Sequence, residues 1–157
     1  MCNYSTKPQP NMSNKFHKLC HEVIAKSEMA DSMQEAAIQW QISGFREIVP
    51  GDQTLTCLCS HKGLKCTYSI RNVINGNEFD NIGSECIKHF GKEDMERDAC
   101  LLQMGKKKFT KGKHRGKTFN ELVGNKEYVR FLQECYTLSP IYKTFLEYHA
   151  LCERLCR

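Results

Sequence analysis

Long apolar runs are missing from this chain. The longest spans only a few residues, far short of the roughly 20 that a helix needs to cross a bilayer. The opening Met1-Cys2-Asn3-Tyr4-Ser5-Thr6-Lys7-Pro8 has no apolar core, so it does not read as a secretory leader. The protein is therefore expected inside the cell, in cytoplasm or nucleus, and not secreted. Internal repeats and long low-complexity tracts are absent too. What remains is a globular composition, 40% apolar with a mean hydropathy of −0.56. Its 157 residues suffice for one ordinary domain or two small modules.

Cysteine, by contrast, is abundant. Ten stand at positions 2, 20, 57, 59, 66, 86, 100, 135, 152 and 156. A reducing compartment disfavours disulfides, so each is expected to be apolar filler, a metal ligand or a nucleophile. Charge is uneven as well. The net charge is +5, yet residues 105–157 alone carry twelve Lys/Arg against five Asp/Glu. Gly105–Lys117 holds seven of those cations and no acid. A local basic block of this kind points to a polyanion partner or to a solvated loop.

The periodicity predicts an α+β fold. Residues 1–12 read as a disordered start. Ser13 can cap a helix reaching Met29, with Phe16, Leu19, Cys20, Val23 and Ile24 on one face. Asp31 or Ser32 can cap a second helix through Ile42, with Met33, Ala36, Ala37 and Trp40 as its apolar stripe and Gly44 as its stop. Short strands are expected at 45–49, 55–58, 66–74 and 77–82. Asn75-Gly76 is the signal of a type I′ hairpin. Ser84 can cap a helix from Glu85, broken at Gly91 and resumed over 93–104. Downstream, 118–123, 126–136 and a helix opened by Ser139-Pro140 follow. The domain reading is a helical N-terminus plus zinc module over 13–104, and a basic turn with a C-terminal helical module over 105–157.

The chemistry concentrates in Cys57-Leu58-Cys59 and Cys86-Ile87-Lys88-His89. Structural zinc takes four N/S ligands in a tetrahedron. Two ligands in a turn supply one edge, and positions i and i+3 of a helix supply the other. A hairpin between the pairs would bring them together, as in a treble clef. The expected set is Cys57, Cys59, Cys86 and His89 around one structural Zn2+, with His61 and Cys66 as alternates for the fourth place. The helix N-terminus near Cys86 would favour its thiolate. Buried thiols without metal are the competing reading. A closed four-ligand site leaves no place for a reactive water, so no enzymatic activity is expected.

Other groupings weigh less. His17 and His21 lie at i and i+4 beside Cys20. His149, Cys152 and Cys156 share a helical face that Cys135 could join. An exposed face for the first group and buried thiols for the second are the more frequent uses. Gly112-Lys113-His114-Arg115-Gly116-Lys117-Thr118 looks superficially like a phosphate loop. It has three residues between its glycines where that motif has four. A tight turn presenting Lys106, Lys107, Lys108, Lys111, Lys113, Arg115 and Lys117 to phosphates fits better, with Phe109, Phe119 and Tyr128 as anchors.

Two segments resemble known families. Cys57-Leu58-Cys59, Tyr68-Ser69-Ile70-Arg71-Asn72 with Asn75-Gly76, and Ile82-Gly83-Ser84-Glu85-Cys86-Ile87 together resemble a small zinc module of giant viruses and some phages. Ala37-Ile38-Gln39-Trp40 resembles the segment that often precedes it. Gly112–Phe119, followed by Tyr128-Val129, is similar to the module found C-terminal to exodeoxyribonuclease X-like nucleases and in many giant-virus proteins. The resemblance implies a viral zinc protein working near nucleic acid, DNA more than RNA, with no membrane. Only the accessory module is shared, because the acidic constellation of the nuclease domain is absent. The leading expectation is thus a zinc-stabilised nucleic-acid-binding protein without catalysis. A protein-interaction scaffold or virion component is the alternative. A small endonuclease of the ββα-metal type comes last, since His61 is the sole nearby base and no hard-metal site accompanies it.

Overall fold

The computed structural model describes residues 14–52 and 54–156, with side chains from Phe16 onward. The expected disordered start at 1–12 and the Ser13 cap lie outside them. Among the described residues the fold is mixed α+β, with seven α-helices and one three-stranded antiparallel sheet. The chain forms two compact units, 1–96 and 97–157. The division falls within the helix Glu93–Leu102.

In the first unit, α1 (Asn14–Ala25) buries Leu19 and Val23. α2 (Met33–Ala37) is capped by the Ser32 hydroxyl, which accepts from the Glu35 N–H. The helix expected through Ile42 ends there. β1 (Trp40–Glu47) starts at Trp40, with Trp40 and Ile42 buried and Gln41 exposed between them. That period of two suits a strand, and pairing Trp40 opposite Asn72 supplies ladder bonds the short helix lacks. Gly44 is no helix stop but sits where the β1 register shifts, with the Ser69 side chain 3.4 Å from where a Cβ would lie. β2 (Cys66–Asn72) and β3 (Glu78–Ile82) complete the sheet in the order β1-β2-β3.

The β2–β3 connection is longer than the expected two-residue turn. Only Gly76 there has positive φ, at 77°, whereas a type I′ turn needs two such residues. The fully buried Asn72 organises it instead, its Oδ1 accepting from the N–H groups of Ile74 and Asn75. Its Nδ2 donates to Gln39 Oε1 at 2.9 Å. Gln39 in turn exchanges two 2.7 Å bonds with the Glu28 backbone. The Trp40 indole donates to Ser27 Oγ, and Asn75 and Asn77 donate to the Lys26 carbonyl. This polar hub ties the end of α1 to the sheet. The segment 55–58 is not a strand; Asn81 satisfies its backbone instead, as described below.

α3 (Ser84–Lys88) follows β3 with Gly83 as its N-cap, and α4 (Glu93–Leu102) leads to a 3₁₀ turn, Gln103–Lys106. The second unit adds α5 (Phe119–Leu122), α6 (Lys126–Glu134) and α7 (Pro140–Leu155). Thr118 and Glu121 form a reciprocal capping box on α5, and Pro140 stands in the first turn of α7. The core of this unit is aromatic. Phe109, Phe119, Phe145 and Tyr148 are buried with Leu122, Val129 and Leu132. Ring centroids in that cluster lie 5.2 to 5.8 Å apart, the spacing of favourable offset and edge contacts.

Candidate metal centre and nucleic-acid interface

Cys57 and Cys59 lie in a tight turn. The Ser60 N–H donates to the Cys57 carbonyl, and the Cys57 N–H donates to the His61 carbonyl. Ser60 takes φ of 75° to close it, a left-handed conformation uncommon for a residue with a Cβ. Asn81 on β3 holds the turn from the other side. Its Nδ2 donates to the Thr56 carbonyl at 2.9 Å, and its own carbonyl accepts from the Leu58 N–H at 2.9 Å. Cys86 is the third residue of α3, within its first turn, and Gly83 brings the backbone close. A Cβ at Gly83 would lie 3.1 Å from Leu64 and 3.5 Å from Cys57 Sγ. Asn81 and Gly83 position the cysteines, although nothing in their own residue types announces a metal.

The three thiols are buried, and their sulfurs all lie within 4.8 Å of one another, with Cys57 and Cys86 3.4 Å apart. A zinc–sulfur bond of about 2.3 Å sets a tetrahedral S···S edge of about 3.8 Å, so the spacing fits a metal ion. These cysteines could hold one. A hydrogen bond shared with Cys86, together with the backbone N–H groups of Cys59 and of Gly83, the latter at 3.2 Å, holds the Cys57 thiol below its ordinary value. Cys86 is pushed up by the same hydrogen bond and by burial.

A cavity of about 250 Å³ opens onto the three sulfurs, and His61 and Cys66 stand in its wall with Phe16 and Leu64. His89, His61 and Cys66 all lie outside the group of mutually close ligand atoms, which is Cys57, Cys59 and Cys86. The exposed His89 ring lies against Phe16, with centroids 3.6 Å apart and planes tilted by 35°. No second group of three or more ligating side chains occurs among the described residues. His17 and His21 are exposed. His149 approaches Glu153 at 3.8 Å, and Cys135 bonds the Phe131 carbonyl.

In the second unit the basic segment folds back on itself. The Phe119 N–H donates to the Lys107 carbonyl, Phe109 N–H to Lys117 and Gly116 N–H to Phe109. An antiparallel bridge joins Lys108 to Thr118. Gly112 and Gly116, at φ of 80° and 84°, make the reversal. Phe109 and Phe119 are driven into the core while Lys106, Lys107, Lys108, Lys111, Lys113, Arg115 and Lys117 are all exposed. Gly105 is buried against Asn120, whose Oδ1 accepts from the Tyr148 hydroxyl. His114 packs edge-on against Tyr128 with centroids 4.3 Å apart. Desolvation and the charges of Lys117 and Lys113 hold its imidazole below the usual histidine range.

Comparison with protein families, curated proteins and solved structures finds no match for this chain.

Proposed function

We propose that the protein is a nucleic-acid-binding module whose first unit is stabilised by one structural zinc ion. The observation that carries the binding role is the turn 107–119. It displays its cations outward on a backbone fixed by two buried phenylalanines. Lysine and arginine on a rigid support contact phosphates without reading sequence, and they hold affinity at little entropic cost. The resemblance of Gly112–Phe119 to an accessory module of nucleases and giant-virus proteins supports the same reading.

The zinc reading rests on three buried thiols of suitable spacing, one of them readily ionised. Turn ligands, hairpin and helix ligand follow one another as in a treble clef. The fourth ligand in this reading is His61 or Cys66, both of which line the sulfur cavity, in preference to His89. Zinc analysis of His61→Ala, Cys66→Ser and His89→Ala separates these. The first or second should lower the metal content, and the third should leave it unchanged.

The binding role is tested by titrating labelled oligonucleotides at several salt concentrations. If all seven cations meet phosphates, log K falls against log salt with a slope of about −5 for a single strand and about −6 for a duplex. A salt-independent interaction, or none, contradicts the proposal and favours a protein-interaction role.

A further inference from the structure

An aromatic ladder leads from the second unit's core to its surface beside the basic turn. Phe109 and Phe145 each lie 6.1 Å from Tyr128. Tyr128 lies 6.4 Å from Phe131, the two rings within 21° of parallel. Phe131 follows Tyr128 by three positions on α6, so both stand on one side of the helix. Val129 and Leu132 take the buried side. Phe131 remains 60% exposed, which core packing does not require.

These rings border a cavity of about 390 Å³ lined by Lys113, His114, Asn125, Glu127, Tyr128 and Phe131. Its composition is mixed in a particular way. Three aromatic rings supply flat faces, Lys113 supplies a cation, and Asn125 and Glu127 supply hydrogen-bonding groups. Asn125 Oδ1 already accepts from the Tyr128 N–H, which leaves its amide donors for a ligand. Glu127 repels phosphate but can accept from the amino group of a base. Lys111 and Arg115 flank Lys113 and His114 on the exposed turn.

From this juxtaposition we propose that the cavity receives an unpaired nucleobase, and that the protein prefers single-stranded nucleic acid to duplex. The inference rests on the phosphate-binding reading of the turn and adds the base. Phosphates on either side of the base meet the turn's cations while the base stacks on Phe131 and Tyr128. A duplex hides its base faces, so it can use only the cations. The charge of the turn and the aromatic lining together favour this occupant over an apolar peptide.

The test compares one labelled strand about ten nucleotides long with its duplex, using the full chain, Phe131→Ala, Phe131→Trp and Lys113→Ala. Phe131 is exposed, so its replacement should leave folding intact, as circular dichroism would verify. We expect Phe131→Ala to weaken single-strand binding by about tenfold, with duplex binding and the single-strand salt slope unchanged. Phe131→Trp should retain affinity, and its emission should be quenched on binding. Lys113→Ala should lower the salt slope by about one for both ligands. Equal affinity for strand and duplex, with Phe131→Ala indistinguishable from the parent, overturns the base site and leaves the phosphate reading standing. Absence of salt-dependent binding to either ligand overturns both.

Discussion

The two units use different physics to hold a small fold together, and cysteine marks the difference. In residues 1–96 three buried thiols and an asparagine clamp gather the irregular segment around Cys57 and Cys59 beside a core that includes Trp40, Tyr68, Ile70, Ile82 and Ile87. In residues 97–157 a cluster of aromatic rings forms the core, and the cysteines are exposed or half-buried. An irregular turn without ladder bonds of its own gains most from a cross-link or a metal. A turn anchored by buried aromatic rings, as at Phe109 and Phe119, gains least. The comparison teaches that a shared abundance of a residue type need not mean a shared role.

The largest expected break in this contrast comes from the thiols. Structural zinc contributes about 10–16 kcal/mol in small modules, as much as the whole stability of a typical domain. If the proposed zinc is bound, Cys86→Ser or a strong chelator should unfold the first unit. Hydrogen exchange read on separate peptides should show protection lost in residues 40–90 and kept in 105–155. Equal loss in both units would remove the distinction.

The converse break is Phe145→Ala. It should cost the second unit about 3–5 kcal/mol and leave bound metal per chain unchanged. A smaller effect is expected from Asn72→Ala in the first unit. The N–H groups of Ile74 and Asn75 lose their acceptor and Gln39 loses a donor, a cost of about 1–3 kcal/mol visible in a denaturant midpoint. Smallest is Thr118→Ala, which removes the α5 cap for about 1 kcal/mol. The pH dependence sharpens that last case. The Thr118 N–H holds the Glu121 carboxyl below its ordinary value of 4.5. Its stabilising contribution is present above that value and is lost as pH falls through the lowered one. Glu121→Gln should flatten the acid limb of stability for the second unit.

The second unit was the more legible in sequence because its signals are local. Ser139-Pro140 and the anchors Phe109 and Phe119 are readable within a few residues, whereas the burial of Tyr148 is not. In the first unit the cysteines stood out because their chemistry is specific, yet Trp40 was misassigned to a helix. Ala36-Ala37-Ile38 continues a helical composition, and only pairing with distant Asn72 turns the chain into a strand. The Gln39–Asn72 hub has no periodic signature. The hydrogen bond shared by Cys57 and Cys86 depends on a 3.4 Å approach of residues 29 positions apart, which no spacing rule supplies.

The most direct test of the proposed metal site in the first unit is native mass spectrometry of the intact chain purified without added metal, beside Cys86→Ser. The account predicts one zinc per chain in the parent and none in the variant, together with loss of the first unit's fold. A stably folded parent carrying no metal would contradict it.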